Sequence, residues 1–352
     1  MTDTAAPPSQ SIGSGATSQQ PKASVGEAPI PGLPADTAGR AATIAICITT
    51  FRRPDGLKRL LASLDTLTFT RVARPEMTVF VIDNDAERPL RDTHPDLQAW
   101  TRQPLDYRIE PRRGLAHARN AALAAVDGRF DAIAFIDDDE WAEPQWLDAL
   151  LAVRARTAAM VIQGPVRPEF NRPPEPWMTA VGFYEVGPFE DGAELDWGAS
   201  GNCLIDKKRL DATELTFDAS FNHSGGEDSD LFARILRRGQ RIVAARDAVA
   251  YETVPAERMR LSWALRRGYR LGHTLGRLAL SSPGAKPKLK RLGKACARLG
   301  AGALQVFPMG LVSRSTGARG LINVSWSLGT LASFTGRQVA VYNEGAGTKA
   351  AG

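Results

Sequence analysis

The chain has 352 residues, a hydrophobic fraction of 43% and a net charge of +5, which suits one large α/β domain with attachments. Its three cysteines, Cys47, Cys203 and Cys296, lie far apart and form no CxxC or Cys/His pattern. The sequence therefore predicts neither a disulfide framework nor a zinc site, and it favours a protein of the reducing cytoplasm.

The first 42 residues are rich in Ala, Pro, Ser, Gly and Thr and contain no aromatic residue. This composition predicts a disordered leader at 1–42. It lacks the basic start and apolar run of a secretory signal, so we expect the protein to stay inside the cell. We also predict a flexible tail over residues 341–352.

From Thr43 onward, short apolar runs alternate with amphipathic stretches. The apolar runs predict strands that begin at Thr43 and cover 77–82, 107–109 and 132–136, while helices are predicted from about 57, over 114–126 and after Pro144. Strands that alternate with helices indicate a doubly wound, mainly parallel sheet. We expect this α/β catalytic domain to span residues 43–254.

Polar residues follow three of these strands: Thr49 and Thr50, then Asp83, then the aspartates of FIDDDE at residues 135–140. In doubly wound sheets such strand ends converge on one ligand crevice. Three adjacent carboxylates repel one another, and Mg²⁺ or Mn²⁺ would remove that penalty. The alternative is a solvated acidic turn, which the buried strand before the aspartates disfavours.

The usual glycine loops of other nucleotide-binding proteins are absent from the sequence. No GxGxxG follows the first strand, and no GxxxxGK[ST] occurs anywhere. Dinucleotide oxidoreductases and P-loop NTPases are therefore disfavoured, since these loops hold their phosphates. Phosphate binding through a metal fits better.

Five motifs occur in order: ICITTFRRP (46–54), VIDND (81–85), GLAHARN (114–120), FIDDD (135–139) and GGEDSD (225–230). Together they resemble family 2 glycosyltransferases with a GT-A fold, over about residues 43–275. The sequence is most similar to the bacterial exopolysaccharide and succinoglycan-type glucosyltransferase branch. The resemblance implies a GT-A sheet flanked by helices and inverting transfer of a sugar.

The resemblance implies a donor site at the strand ends. Thr49 and Asp83 would contact the nucleotide base, with Asp83 accepting from the uracil N–H, and Asp137 would face the ribose. Asp139 would hold the Mn²⁺ or Mg²⁺ that bridges the two phosphates, although any of the three aspartates could be the ligand. The whole predicted nucleotide-sugar set is Thr49, Thr50, Arg52, Asp83, Arg113, Asn120, Asp137 and Asp138.

The acceptor side is predicted from two further segments. Inversion needs a base to take the acceptor hydroxyl proton, and the family motif places it at Asp228, with Glu227 positioning the acceptor. These acids could instead only favour the dipole of the helix that follows. The segment DWGASGNCLI (196–205) resembles the floor between the two substrates, with Trp197, Gly201 and Asn202 as acceptor contacts; His223 is given no catalytic role.

Residues 255–300 contain twelve Lys or Arg and one acid. We predict a basic, amphipathic helical extension over 255–340 that associates with the inner face of the cytoplasmic membrane or covers a diphosphate. Two uncharged stretches, 299–313 and 320–336, are too short or too polar to span a bilayer and are interpreted as interfacial or re-entrant helices. A subdomain packed on the catalytic domain is the alternative. No nucleic-acid partner is expected.

The leading hypothesis is transfer of a hexose, glucose in the first instance, from a UDP-sugar to a saccharide acceptor. The acceptor would be a lipid-linked saccharide in exopolysaccharide or cell-surface polysaccharide synthesis. Two alternatives stay open: a sugar-phosphate nucleotidyltransferase, and a non-catalytic saccharide- or nucleotide-binding subunit of an assembly complex.

Overall fold

The computed structural model of the chain describes residues 41–222 and 224–335. The predicted leader, apart from its last two residues, the predicted tail at 341–352 and His223 lie outside the described residues. Within them the strands are β1 Thr43–Thr50, β2 Glu76–Asp83, β3 Leu105–Ile109, β4 Ala132–Phe135, β5 Glu140–Ala142, β6 Val161–Gln163, β7 Val166–Phe170, β8 Glu194–Leu195, β9 Cys203–Asp206, β10 Ile242–Ala244 and β11 Ala250–Val254.

The helices follow the same order along the chain. They are α1 Pro54–Leu64, α2 Leu90–Thr93, α3 Leu115–Ala125, α4 Trp146–Thr157, α5 Pro176–Val181, α6 Lys207–Thr213, α7 Glu227–Arg237, α8 Leu261–Ser281, α9 Lys286–Val306, α10 Met309–Val312 and α11 Arg314–Phe334, with short 3₁₀ turns at Leu97–Trp100 and Ala219–Phe221. The strands and helices predicted up to residue 157 are confirmed, although the first helix ends at Leu64.

The large sheet has the strand order β3-β2-β1-β4-β9-β6-β10-β8. Its β3, β2, β1 and β4 neighbours run parallel, whereas β9 is antiparallel to both β4 and β6. The register pairs Thr50 with Asp83 at the ends of β1 and β2. The predicted doubly wound, mainly parallel α/β sheet is therefore confirmed, and its polar strand ends lie on one edge.

The β1 strand shows why this sheet is buried on both faces. Ile44, Ile46 and Ile48 pack with the leucines of α1 and with α4, while Ala45 and Cys47 pack with α3 and α7. Successive side chains of a strand point to opposite faces, so one apolar strand supplies two cores. Helices on both faces hold the strand ends in fixed positions.

A second sheet of order β5-β11-β7 lies beside the aspartate run. It pairs Glu252 of β11 with Glu140 of β5, and the Thr253 amide donates to the Asp139 carbonyl at 3.3 Å. The chain after β11 is thereby brought to the aspartates from more than a hundred residues away.

The long helices α8, α9 and α11 form a layer that joins the catalytic domain. A shared apolar cluster contains Trp177 and Phe183 from the region around α5, Ala264 from α8, and Ala318 and Ile322 from α11. The core thus crosses the predicted boundary at residue 254. Among the described residues, no helix is both long enough and apolar enough to cross a bilayer.

The two uncharged stretches have different surroundings. Stretch 320–336, as far as residue 335, lies in α11, whose Gly320, Ile322 and Gly329 are buried against neighbouring helices. This is the packed alternative and corrects the interfacial interpretation of that stretch. Stretch 299–313 covers the end of α9 and α10, where large apolar side chains are exposed.

Candidate functional site

Asp138 is the most enclosed of the three aspartates that follow β4. It is 6% exposed, and its carboxylate accepts from Thr50 Oγ1 and Arg53 Nη1, each at 2.9 Å. Burial raises the pKa of Asp138 to about 6 against the attraction of Arg53. These contacts join β1, the start of α1 and the aspartate loop, so Asp138 supports the site.

Asp139 lies between two arginines, one at the start of α1 and one in the chain beyond β11. Its Oδ2 is 2.9 Å from Arg53 Nη1 and 3.2 Å from Arg258 Nη2. Arg258 also pairs with Glu252. Asp139 is thus the point where the chain beyond β11 meets the aspartate loop, and the arginines supply positive charge beside it.

Asp137, the first of the three aspartates, is partly exposed. Its Oδ1 lies 3.3 Å from Arg119 Nη2, and its backbone amide donates to Glu140 Oε2 at 3.1 Å. Loss of hydration raises the pKa of Asp137, and repulsion from Asp139 and Asp228 raises it further, against Arg119. The pKa of Glu140 is raised well above its ordinary value by burial and then by Asp137.

Gly201 lies against these carboxylates. A β-carbon added there would be 2.8 Å from Glu140 Oε1 and 3.2 Å from Asp137 Oδ2. The 196–205 segment therefore reaches the aspartate site through a residue without a side chain, as the floor interpretation requires. Glu140 is 4% exposed and has little room to move away.

The candidate base lies in the first turn of α7. Asp228 is partly exposed, and its Oδ1 accepts from the Ser229 amide at 2.6 Å and Ser229 Oγ at 3.3 Å. Its charge raises the pKa of both Asp137 and Glu227. Asp228 is therefore electrostatically coupled to the aspartate site although it lies about ninety residues further along the chain.

Glu227 is held beneath this turn by a buried arginine. Arg119 from α3 pairs with Glu227 and, through its other terminal nitrogen, with Asp137. Arg119 and Glu227 are 5% and 3% exposed. Burial raises the pKa of Glu227 against the attraction of Arg119. In this arrangement the Glu227 side chain anchors the helix that carries Asp228, which departs from its predicted role at the acceptor.

The expectation for Asp83 is corrected by its surroundings. Its carboxylate has no exposed surface, and it accepts from the Leu90 amide at 2.7 Å, Tyr107 Oη at 2.5 Å and the Asp85 amide at 3.1 Å. These donors occupy the oxygens that were expected to face a uracil N–H. Asp83 instead fixes the loop after β2, while Thr49 is 8% exposed at the neighbouring strand end.

The other nucleotide-side residues meet around Phe51. The Arg113 guanidinium lies 3.4 Å from the centre of the Phe51 ring, and the Arg52 guanidinium lies 4.7 Å from it. Arg113 Nη1 also donates to the Asn84 carbonyl at 3.2 Å, and Arg52 pairs with Asp85. The predicted Arg52 and Arg113 are thus brought together, and Phe51 is an addition to the predicted set.

Two predicted asparagines have structural contacts instead. Asn120 Nδ2 donates to the Phe217 carbonyl and its Oδ1 accepts from the Phe217 amide, both at 2.8 Å. Asn202 is fully buried and bonds the Trp146 indole at 2.6 Å and two backbone carbonyls at 2.7 Å. Their amides are used within the fold, which corrects the predicted nucleotide and acceptor contacts.

Trp197 is exposed, as a sugar-stacking residue requires. Its exposed fraction is 37%, and its only described ring neighbour is Phe189, tilted at 46° with 6.1 Å between centroids. One face of the indole can therefore receive an apolar sugar face. Its ordinary role as surface packing remains the alternative.

The carboxylates do not form a closed metal cage. Within residues 41–222 and 224–335, no group of three or more His, Cys, Asp or Glu is placed to hold a metal ion. Mg²⁺ and related ions commonly take only one or two carboxylates and complete their shell with water and substrate phosphates. The hard oxygen of Asp139, beside Asp137, fits that kind of open site.

Arg53, Arg119 and Glu140 are site residues that the sequence interpretation left without a role. Arg119 could have been found, because it lies in GLAHARN next to a predicted contact. Arg258 belongs to the basic extension that was expected to cover a diphosphate or lie on the membrane, but its contact with Asp139 was not expected, because only the pairing of β11 with β5 and β7 brings it there. Its position depends on tertiary structure.

Two comparisons identify the family. Residues 45–211 match the glycosyl transferase family 2, and the chain is 33% identical over 235 residues to the succinoglycan biosynthesis protein ExoM of Rhizobium meliloti (strain 1021), covering 67% of this chain and 74% of that protein. The chain belongs to glycosyl transferase family 2. It is a glycosyltransferase, as predicted, and the nucleotidyltransferase and non-catalytic alternatives are disfavoured.

Solved structures agree with the family 2 fold. The mannosyltransferase PcManGT from Pyrobaculum calidifontis, in complex with GDP-Man and Mn²⁺, matches with a TM-score of 0.53 and 17% identity, covering 82% of this chain and 87% of that one. TarS 1-349 from S. aureus, in complex with UDP, matches with a TM-score of 0.47 and 16% identity over 86% and 97%. The PcManGT match confirms the GT-A-like architecture of this glycosyltransferase.

Proposed function

We propose that this family 2 glycosyltransferase moves a hexose, glucose in the first instance, from a UDP-sugar to a saccharide acceptor with inversion at C1. The acceptor is a lipid-linked saccharide of exopolysaccharide or cell-surface polysaccharide synthesis at the inner face of the cytoplasmic membrane. The observation that carries the proposal is the Arg119 guanidinium, which pairs with both Asp137 and Glu227 and so brings the partly exposed Asp228, the next residue, to the side of the donor-side aspartates.

In the proposed reaction Asp228 takes the proton from the acceptor hydroxyl as that oxygen forms its bond to C1. The bond between C1 and the diphosphate oxygen breaks on the opposite side, and the UDP leaves. No covalent sugar–enzyme intermediate is needed for a single inverting displacement. Glu227, held by Arg119, keeps the α7 turn and its Asp228 in place.

The donor side of the proposal uses Asp139, Arg53 and Arg258. Asp139 would hold a divalent ion, Mn²⁺ or Mg²⁺, and such an ion would supply charge stabilisation to the departing diphosphate. Arg53 and Arg258 already lie within 3.2 Å of the Asp139 carboxylate and can turn to the phosphate oxygens when those replace Asp139 as their partner. Preorganised charge of this kind stabilises a transition state without reorganisation. The metal-bound PcManGT supports the choice of ion.

The experiment is a donor screen with the purified protein. The donors are UDP-glucose, UDP-galactose, UDP-N-acetylglucosamine and GDP-mannose, each tested with Mn²⁺, with Mg²⁺ and with a chelator. A lipid-linked saccharide from a polysaccharide-producing bacterium serves as acceptor, and the anomeric configuration of the product is read by NMR. We expect UDP-glucose to be used, a loss of activity with chelator, and an inverted product. A retained configuration or metal-independent transfer overturns the mechanism.

The base is tested with a matched pair of variants. Asp228→Asn removes the proposed proton acceptor, whereas Asp230→Asn changes a carboxylate in the same turn that pairs with Arg234 at 2.7 Å instead. We expect Asp228→Asn to lower kcat roughly 10²–10⁴-fold, the usual contribution of a general base, and Asp230→Asn to keep most of it. Full transfer by Asp228→Asn would place the base elsewhere.

A further inference from the structure

The segment from α9 to α10 has an unusual surface. Its last part exposes five large apolar side chains within nine residues, each between 51% and 92% exposed: Leu304, Phe307, Met309, Leu311 and Val312. Single exposed apolar residues are ordinary, but a contiguous group of them is typical of an interaction site. We call residues 286–314 the α9–α10 ridge.

The same ridge is strongly basic along α9. Three lysines, Lys286, Lys290 and Lys294, are spaced four residues apart and therefore share one helix face. All three are exposed. No Asp or Glu occurs anywhere from residue 258 to residue 335. The positive charge of the ridge is not balanced by acids of its own helical layer.

The inner side of α9 is already used. It packs on α11, where Gly302 lies against the Gly320 carbonyl, and its buried residues are the small Ala295 and Gly302. The basic and apolar side chains therefore point away from the protein. Lysines followed by exposed apolar residues match the chemistry of an anionic bilayer, with phosphates outside and acyl chains beneath.

We propose that the α9–α10 ridge docks this enzyme on an anionic membrane surface, with Phe307, Leu311 and Val312 entering the headgroup boundary and the α9 lysines on lipid phosphates. The inference rests on the proposed function in one respect, since a lipid-linked acceptor gives docking its purpose. The helices of the ridge are among the described helices that cannot cross a bilayer, and the proposed docking is therefore contact with the membrane surface.

The ridge is connected to the site through α8. Arg277 of α8 donates to Ser224 Oγ at 2.7 Å and lies 3.8 Å from the centre of the Phe221 ring, both in the loop before α7. Thr274 of α8 fills the space beside Gly226, the residue that precedes Glu227. Docking by the ridge therefore fixes the loop before Asp228 at a set height above the lipid.

Co-flotation of the full chain with vesicles tests the proposal without donor or acceptor. Vesicles of phosphatidylcholine with 30% phosphatidylglycerol are compared with pure phosphatidylcholine. We expect binding to fall at least about ten-fold in the pure vesicles, in 0.5 M salt, in Leu311→Ser/Val312→Ser and in Lys286→Glu/Lys290→Glu/Lys294→Glu. Two controls should bind like wild type: Leu280→Ser/Leu328→Ser, which removes exposed apolar residues elsewhere, and Arg102→Glu/Arg108→Glu/Arg129→Glu, which makes the same charge change elsewhere.

Equal binding to both vesicle types, or unchanged binding of the ridge variants, overturns the proposal. So does a wild-type dimer in solution that Leu311→Ser/Val312→Ser converts to monomer without loss of vesicle binding, because a second copy would then be the occupant. UDP release from UDP-glucose by the same variants separates this inference from the proposed function. If the protein binds vesicles but transfers no sugar, the docking proposal stands and the proposed glucosyl transfer is rejected.

Discussion

Arg119 of α3 and Glu227 of α7, 108 residues apart in the chain, form a buried ion pair behind the candidate site. The same guanidinium reaches Asp137 with its second terminal nitrogen. One side chain thus sets the distance between the donor-side aspartates and the helix that carries Asp228. Its planar, two-pronged geometry is needed for this, because an ammonium group offers a single point of charge.

The Arg119→Lys variant should therefore impair the positioning of Asp228 more than it impairs donor binding. We expect kcat to fall about 10–100-fold with a smaller change in the donor KM, since displacements near 1 Å at a reacting centre cost that much. Arg119→Ala should destabilise the fold by about 3–5 kcal/mol, because Glu227 is left buried without its partner. Steady-state kinetics and thermal unfolding measure both effects.

Arg154→Lys is the control for Arg119→Lys. Arg154 also bridges a carboxylate, Asp206 at 2.7 Å, and a backbone carbonyl, Asp131, but outside the site. The Arg154→Lys variant should keep kcat within about two-fold of wild type, as expected for a change that is distant from the site and independent of it. Equal kinetic losses in the two lysine variants would contradict a positioning role for Arg119.

Gly201→Ala should damage the site without a change in charge. The new methyl group would press on Glu140 and Asp137, and buried Glu140 cannot move away freely. We expect kcat/KM to fall by roughly 100-fold or more. Gly128→Ala is the control, because nothing lies within 4 Å of the β-carbon there; unchanged kinetics in Gly201→Ala would remove Gly201 from the site floor.

Arg53→Gln should have opposite effects on the metal and on the donor. Arg53 competes for Asp139 in the free enzyme, so its removal should tighten Mn²⁺ binding about two- to five-fold, in keeping with ~1 kcal/mol or less for a half-exposed pair. The donor KM should rise because a phosphate partner is lost. Calorimetry with Mn²⁺ alone measures the metal affinity, and UDP-sugar kinetics measure the donor KM. The control is Arg108→Gln, because Arg108 pairs with Asp106 at the surface.

The Asp148 carboxylate should make the free energy of unfolding depend on pH, and this effect does not involve the candidate site. Its buried carboxylate accepts from the amides of Thr70, Arg71 and Val72 at 3.0–3.1 Å, and these bonds lower its pKa against burial. A lowered folded-state pKa adds stability above the ordinary Asp pKa, and that stability is lost as pH falls through the lowered value. The carboxylate is therefore stabilising at neutral pH.

Asp148→Asn should then cost about 1–3 kcal/mol at pH 7. The difference from wild type should stay constant between pH 5 and 8 and shrink below about pH 4, where the unfolded-state carboxyl also becomes protonated. Urea unfolding at several pH values measures it. Asp127→Asn, at an exposed pair with Arg129, should show no such trend, and a pH-independent loss in Asp148→Asn would rule out the charge as the cause.

The fold could be predicted from the sequence where local pattern and burial agree. β1, β2 and β4 contain short apolar runs that precede polar residues, and Pro54 marks the first turn of α1. The pattern could not decide between a membrane interface and a packed helix for 320–336, since glycines and apolar residues suit both. Contact with α8 and α9 decides that question for α11.

The site was predictable to the extent that chemistry is carried by short motifs. The aspartates after β4 are predicted because they follow an apolar strand, whereas Asp228 is predicted through the resemblance of GGEDSD to the family motif. Asp83 and Asn202 show the limit of such prediction, because a polar residue in a family motif can form its hydrogen bonds within the fold. Asp83 accepts from Tyr107, and Asn202 accepts from Trp146. Such partners are chosen by the folded structure and cannot be inferred from spacing.

The crossing of α8 and α11 has a mechanical consequence. A methyl group at Gly272 would collide with the Trp326 carbonyl, and one at Gly329 with the Tyr269 carbonyl, so the two backbones touch. Helices in such contact cannot slide or bend independently, and they act together as a stiff arm. The arm carries the α9–α10 ridge and also touches Gly226 through Thr274. A tilt of the enzyme on its support would therefore be transmitted to the loop before Asp228.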